Sequence, residues 1–266
     1  MQLMSGQGVE PDPQLAVAWL KRAVAKNNAD AQHFLAMAYA NAHGIARDMH
    51  KAQRLFQLAA DQGHCEAQYD WARFLEQHSR QASSHVKAVQ LYDLAARQGH
   101  LRAQLRLGQL FKADEIIGMP RVGADGDIMP KKHSHKRSHA PHLVRALEYF
   151  TMAAEQGEAE AQFELGQMYA QGLGTQQLFD LAMHWLQLAA RQGHAKAQFN
   201  LAFQYAHGQG VDADLLKAYE WYRISYLCGH AVAKTSMEFT AKKLSPAEVE
   251  MADWRADSFI HQIKNH

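Results

Sequence analysis

A period of 36 residues constrains the fold of this chain more than any other feature of its sequence. The dipeptide Ala-Gln recurs at residues 31, 67, 103, 161 and 197, and Gly-His recurs in a second phase at residues 63, 99, 193 and 229. The one irregular interval between Ala-Gln copies, 58 residues, equals one period plus 22 inserted residues. Periods of this length are typical of arrays in which each repeat buries its apolar face by stacking on its neighbours.

Each period is predicted to form two helices. The first, represented by Ala161 to Gly172, has small or apolar side chains at positions i, i+4, i+5 and i+8, which share one helix face. The second, represented by Leu181 to His194, ends at Gly193, a residue type that adopts the left-handed conformation at helix ends. Gly-His is therefore interpreted as a helix stop signal. The histidines of this signal are predicted to be structural: His64, His100, His194 and His230.

This pattern resembles the Sel1-like repeat of the tetratricopeptide-like helical superfamily. The resemblance is clearest in Ala195 to His230, where Asp214, Trp221 and Tyr222 follow the Ala-Gln pair at the family's spacing. It implies an all-α fold, a right-handed α-α superhelix (solenoid) of helix-turn-helix repeats, in which the first helix of each repeat lines the concave side. It also implies a role in binding other proteins.

The period divides the chain into seven segments. Gly8 and Trp19 repeat the phase of Gly210 and Trp221, so the chain is expected to start with the second helix of a truncated repeat. A final helix is predicted to begin after Ser245 with a capping box. The predicted segments are 1–28, a truncated repeat; 29–64 and 65–100, two repeats; 101–158, a repeat with an insertion at about 113–142; 159–194 and 195–230, two repeats; and 231–266, a partial repeat with a capping helix.

Charge and composition exclude several classes of function. The formal net charge is +1, which gives no whole-protein attraction to nucleic acid, and no apolar run is long enough to cross a membrane. The first residues lack the apolar core of a signal peptide, so a cytoplasmic location is predicted, with a periplasmic or secreted location as the alternative if the true start lies upstream. Cys65 and Cys228 are too far apart in an array to form a disulfide. We expect a monomer, with self-association through the N-terminal end as the alternative.

The insertion contains the most unusual local composition. Lysine, arginine and histidine crowd residues 131–142, and four imidazoles there are weak candidates for binding a metal ion: His133, His135, His139 and His142. Neighbouring positive charges oppose a cation, so a solvated loop is favoured, and no metal or cofactor is predicted. No nucleophile, base and orienting group can be assembled, and Cys65 beside His64 is interpreted as a packing residue, so the protein is predicted not to be an enzyme.

The candidate binding residues are those whose chemistry varies between repeats on the first helix. Counting the Ala of Ala-Gln as zero, the variable offsets are +3, +6, +7 and +10. They give Phe34, Met37, Asn41, Asp70, Arg73, Gln77, Arg106, Gln109, Glu164, Gln167, Gln171, Asn200, Phe203, Gln204 and His207. By resemblance these residues line the concave groove, and the predicted function is a scaffold or adaptor that binds a peptide or helix of a partner protein there. The alternative is metal-ion or nucleic-acid binding through the loop 131–142.

Overall fold

A computed structural model describes residues 12–79, 81–114 and 140–264 of the chain. Every regular element in these ranges is an α-helix, which confirms the predicted all-α class. The thirteen helices of the described residues are α1 Pro13–Val24, α2 Ala29–Asn41, α3 Met49–Asp61, α4 Cys65–His78, α5 Ala82–Arg97, α6 Leu101–Lys112, α7 Pro141–Glu155, α8 Ala159–Gln171, α9 Phe179–Arg191, α10 Ala195–His207, α11 Leu215–Leu227, α12 Ala233–Ala241 and α13 Pro246–Lys264.

The chain divides into two compact units. The described residues up to Leu107 belong to the first unit, and the second begins at Gly108, so the division falls within α6. In the first unit α2 packs on α3 and α4 packs on α5, and in the second α8 packs on α9 and α10 on α11. Consecutive helices joined by short connections therefore form antiparallel pairs, as the periodicity predicts.

Small side chains allow the two helices of a pair to approach closely. Ala36, Ala72 and Ala202 are fully buried at the fifth position after the Ala-Gln alanine. The same position in α8 is Gly166, where an added Cβ would lie 2.8 Å from Leu186 Cγ on α9. Even one added methyl group at this position would therefore displace Leu186.

The glycine of each Gly-His pair ends a helix as predicted. Gly63, Gly99, Gly193 and Gly229 all have positive φ angles, between 83° and 96°. The histidine serves both helices: its backbone amide donates to a carbonyl of the helix that ends, as His64 does to Ala59 at 3.2 Å, and its side chain caps the helix that follows. The Ala67 amide donates to His64 Nδ1 at 3.1 Å, and the same bond recurs at His100 and His194.

These capping histidines also connect successive repeats. Since Nδ1 of His64 accepts a hydrogen bond, Nε2 carries the proton, and it lies 2.8 Å from Oδ1 of Asp30 in the first turn of α2, the first helix of the repeat that His64 ends. His100 makes the equivalent contact with Glu66 at 3.2 Å, and His194 with Glu160 at 2.9 Å. Each such imidazole therefore satisfies a helix start and a neighbouring carboxylate together.

The glutamine of Ala-Gln is a second structural device. Five such glutamines are at most 4% exposed: Gln32, Gln68, Gln104, Gln162 and Gln198. Four of them donate to the last-turn carbonyl of the preceding helix, as Gln198 does to Ala190 at 3.0 Å. Three of the five, Gln32, Gln68 and Gln162, accept a hydrogen bond from a glutamine 30 residues later, as Gln162 does from Gln192 at 2.8 Å. These bonds satisfy most of the buried amide atoms, but Oε1 of Gln198 has no partner among the described residues.

The C-terminal helices close the second unit. Ser245 and Glu248 form the predicted capping box: the Glu248 amide donates to Ser245 Oγ at 3.3 Å, and the Ser245 amide donates to the Glu248 carboxylate at 2.8 Å. From α11, Tyr219 donates to Asp253 of α13 at 2.8 Å, and Arg223 forms an ion pair with the same carboxylate at 3.0 Å. α13 is therefore held by polar contacts as well as by packing.

Two further findings bear on the chemical setting of the chain. Neither Cys65 nor Cys228 forms a disulfide, as predicted. Among the described residues, no helix is long and apolar enough to cross a membrane.

Candidate functional site

A pocket of about 250 Å³ opens on the first-helix face of the first unit. Five predicted binding residues line it: Met37 and Asn41 of α2, and Asp70, Arg73 and Gln77 of α4. Because α2 and α4 are the first helices of adjacent repeats, the pocket forms where two repeats meet. The structure brings these side chains together although they come from positions 36 residues apart in the sequence.

The pocket also contains residues that the sequence reasoning missed. Phe56 of α3 is 3% exposed and Phe74 of α4 is partly buried, and with Met49 they add apolar lining. Arg47, from the turn before α3, and His78, at the end of α4, add polar groups. Phe56 and Arg47 lie outside the first helices, so a search confined to the first-helix face could not include them.

A buried histidine holds the only carboxylate that lines this pocket. His33 is 6% exposed, and its Nε2 lies 2.8 Å from Asp70 Oδ2. A carboxylate only accepts hydrogen bonds, so the His33 Nε2–H donates. The His33 ring packs against Phe34 and Phe56, and its Nδ1 is buried with no hydrogen-bond partner among the described residues. The Asp70 carboxylate is therefore fixed toward the protein interior, with 14% of its side chain exposed.

Arg106 of the predicted set is engaged in an internal ion pair. Its guanidinium bonds to Glu76, which also accepts a hydrogen bond from the Tyr92 hydroxyl at 2.9 Å. Burial alone would raise the pKa of Glu76, but the hydrogen bonds from Arg106 and Tyr92 outweigh it, so the pKa lies below the ordinary glutamate value. Burial, reinforced by the Glu76 charge, raises the pKa of Tyr92 well above its usual range.

The second unit places its predicted residues in several environments. Lys112 pairs with Glu164 and lies 3.5 Å from Gln167 Oε1. Phe203 is 41% exposed and stacks on His207 with ring centroids 4.0 Å apart. The remaining predicted residues of this unit that are at least partly exposed are Gln109, Gln171 and Asn200.

Gln204 differs from its predicted exposed position. It is 3% exposed, and its Oε1 has no hydrogen-bond partner among the described residues. The reason is geometric, because an α-helix turns once per 3.6 residues and seven residues are nearly two turns. Offset +7 therefore lies almost directly above the buried alanine at offset zero. Leu110 and Met168, at the same offset, are buried as well.

The candidate metal ligands are largely beyond what the structure describes. His133, His135 and His139 lie outside the described residues. His142, in the first turn of α7, has its Nδ1 4.0 Å from Asp114 Oδ1. Within the described ranges, no group of three histidine, cysteine or acidic residues could hold a metal ion.

Cys65 has the environment of a packing residue. Its thiol donates to the Ala95 carbonyl at 3.7 Å. Burial, together with the Glu66 charge, raises the pKa of the thiol, which disfavours the thiolate needed for nucleophilic attack.

Comparison with known proteins gives the family. A family model for the Sel1 repeat matches residues 3–28, 29–64, 65–100, 143–158, 159–194 and 195–230. The chain belongs to the Sel1 repeat family. A search among curated proteins found no match to it.

Solved Sel1 repeat structures resemble the chain over most of its length. A Sel1 repeat protein from Oxalobacter formigenes is 28% identical with a TM-score of 0.62, and the match covers 85% of this chain and 84% of that protein. A protective antigen of uropathogenic Escherichia coli strains, which displays the same repeat fold, is 25% identical with a TM-score of 0.54. That match covers 98% of this chain but only 59% of the antigen. These likenesses support the predicted solenoid of helix-turn-helix repeats. Sel1 repeat proteins are generally non-catalytic scaffolds for protein interactions.

Proposed function

We propose that this Sel1 repeat chain is a non-enzymatic scaffold that binds a peptide or helical segment of a partner protein on the face of its first helices. The observation that carries the proposal is the pocket between α2 and α4, which collects Met37, Asn41, Asp70, Arg73 and Gln77 from two adjacent repeats. Clefts that combine apolar walls with a few polar groups are the usual form of binding sites.

Exposed apolar side chains on the same helix face give a second line of support. Phe203 of α10 is 41% exposed, and the other exposed residues of this helix, Lys196 and His207, are polar. Stacking on His207 holds the ring in place, so an incoming partner would not have to order it. Aromatic side chains presented in this way are common anchors in protein interfaces.

Affinity capture from extracts of the native cell tests the proposal. The intact protein is compared with a triple variant, Phe34→Ala, Met37→Ala and Phe203→Ala, and captured proteins are identified by mass spectrometry. The matched control removes similar apolar area from the second helices, through Leu58→Ala, Leu94→Ala and Leu181→Ala, since those leucines are 40–48% exposed.

The expected result is a protein that the intact chain and the control retain and the triple variant loses, with helical content unchanged. Equal capture by all three chains would refute binding on the first-helix face. A chain without residues 131–142 is included, because loss of capture from it alone would move the function to the loop. The cytoplasmic location and the monomeric state stay predictions, and sedimentation of the isolated protein tests the second.

A further inference from the structure

We infer that the pocket of the first unit recognises an acidic side chain of a partner segment, together with an apolar side chain close to it in that segment. This inference rests on the proposed scaffold function and specifies the ligand chemistry of one part of it. The argument depends on three properties of the pocket: its apolar walls, its two arginines and its one fixed carboxylate.

The apolar walls come from three helices. Met37 lies on α2, Met49 and Phe56 on α3, and Phe74 on α4. Phe56 is 3% exposed, so it forms the base of the pocket, whereas the other three are partly exposed. A pocket of about 250 Å³ with these walls has room for one aliphatic or aromatic side chain. Methionine adapts to several shapes, which suits a site that accepts more than one apolar residue type.

Two positive charges stand at the rim. Arg47 and Arg73 both line the pocket and are both exposed. Neither guanidinium makes an ion pair, hydrogen bond or ring contact with any residue in the described ranges. Of the other arginines of this unit, Arg97 pairs with Asp93 and Arg106 pairs with Glu76, whereas exposed Arg54 and Arg102 do not line the pocket. The rim therefore offers ten N–H donors, five per guanidinium, that the protein itself leaves available.

The carboxylate of the pocket does not neutralise this charge at the surface. Asp70 accepts a hydrogen bond from buried His33, has only 14% of its side chain exposed, and forms no ion pair with Arg47 or Arg73. The formal charges of Arg47, Arg73 and Asp70 sum to +1, and both positive side chains are exposed to solvent. His78 also lines the pocket, where its ring stacks on Phe74 and its Nδ1 lies 3.1 Å from the Phe74 carbonyl oxygen.

The ligand that complements this arrangement is a carboxylate beside an apolar side chain. A carboxylate can accept paired N–H bonds from a guanidinium, and two guanidinium groups in one pocket favour it further. We assign the carboxylate to an aspartate or glutamate side chain of the partner segment, because such a side chain can reach the rim guanidinium groups while a neighbouring apolar side chain enters the pocket.

Selection from a displayed library of random twelve-residue peptides tests this inference. Enriched peptides are synthesised with acetylated N termini and with either amidated or free C termini, and their Kd values are measured by fluorescence polarisation. Arg47→Ala combined with Arg73→Ala is compared with a matched double variant, Arg54→Ala with Arg102→Ala, which removes two exposed arginines of the same unit that do not line the pocket.

We expect enriched peptides to carry an acidic residue within about four positions of an apolar one, the spacing of neighbours on one helix face or along a short extended segment. The pocket double variant should weaken binding at least about tenfold at low salt, and the matched control less than about twofold. Added salt should weaken binding to the intact protein and have little effect on the residual binding of the pocket variant. Amidation of the C terminus should make no difference.

A charge exchange guards against an indirect effect of the substitutions. Arg73→Glu should abolish binding of the acidic peptide and recover it when the peptide's acidic residue is replaced by lysine. Equal losses in the pocket and control variants, absence of acidic residues from the enriched peptides, or dependence on a free C terminus would each overturn the inference. Peptides that bind independently of Arg47 and Arg73 but are lost with Phe203→Ala would overturn it while leaving the scaffold function standing.

Discussion

Replacing Cys228 by glutamine is expected to stabilise the protein. In three repeats a glutamine at this phase donates its Nε2 to a buried glutamine 30 residues earlier: Gln62 to Gln32 at 2.6 Å, Gln98 to Gln68 at 2.7 Å, and Gln192 to Gln162 at 2.8 Å. In the next repeat the donor's position is occupied by Cys228, and Oε1 of fully buried Gln198 has no hydrogen-bond partner among the described residues.

The backbone at position 228 already suits the missing donor. Cys228 follows α11 with φ −80° and ψ 6°, and Gln192 follows α9 with φ −82° and ψ 5°. A glutamine at 228 can therefore take the side-chain conformation of Gln192 without backbone change. A net hydrogen bond is worth about 1 kcal/mol, and a buried acceptor without a partner costs about 1–3 kcal/mol. After the cost of ordering one partly exposed glutamine, we expect a gain of about 1 kcal/mol in the free energy of unfolding.

Urea unfolding followed by circular dichroism measures this gain. Cys228→Gln should raise the urea midpoint at unchanged slope, while Cys228→Ala should not. The reverse exchange, Gln192→Cys, should lower the free energy of unfolding by about 1–3 kcal/mol. In a Gln198→Ala background the benefit of Cys228→Gln should vanish, because its acceptor is gone. A gain that persists in that background, or no gain in the intact chain, would refute the reasoning.

Three further substitutions test other parts of the structure. His100→Ala should cost about 1 kcal/mol in urea unfolding because α6 loses its side-chain cap, whereas His100→Asn should cost less because asparagine caps helices well; equal losses would contradict the capping role. Gly166→Ala should lower stability by about 1 kcal/mol, since the crowding of Leu186 exceeds the gain in helix propensity, and a stabilised variant would show that the contact is looser than described. Glu76 has a lowered pKa, so its ion pair with Arg106 contributes to stability above pH 4.5, the ordinary glutamate pKa, and this contribution is lost as the pH falls below that value. The difference in unfolding free energy between the intact protein and Glu76→Gln should therefore shrink in acid. A difference independent of pH would argue against this pair.

The fold was largely predictable because the 36-residue period marks where each helix pair begins and ends. Small or apolar residues at fixed phase predicted the packed face of each first helix, and Ala36, Ala72 and Ala202 on that face are fully buried. The glycines predicted helix ends for a reason of backbone conformation, and Gly193 has the expected positive φ. Local signals of this kind depend on residues a few positions apart, which a sequence shows without a structure.

The role of the histidines could not be read in the same way. A histidine after a glycine marks a phase, but whether its imidazole serves the preceding or the following helix depends on the direction of the side chain. In the structure His194 bonds to the amide of Ala197 and to Glu160, which lies 34 residues earlier. A contact across that separation appears only when the helices of a repeat are packed together.

The candidate site was predicted in part for a similar reason. The variable offsets identified Met37 and Arg73, because these positions differ between repeats on one helix face. They also included Gln204, which the helical period places beside the buried alanine instead of on the surface. Arg47 and Phe56 were missed because a pocket between repeats is also lined by the turn and by the second helix.

The paired contacts between repeats have a consequence for building longer arrays from this chain. Each regular repeat ends with two fasteners: its final histidine caps the next first helix and contacts the first turn of its own first helix, and a glutamine two residues earlier bonds to the buried glutamine of the same repeat, as His194 and Gln192 show. After Gly229 both fasteners change: Cys228 replaces the glutamine, and His230 is followed by a helix that starts only at Ala233 without a side-chain cap. A repeat grafted onto this end would therefore need both residues of the fastening restored, whereas a repeat duplicated between 159–194 and 195–230 would bring its own.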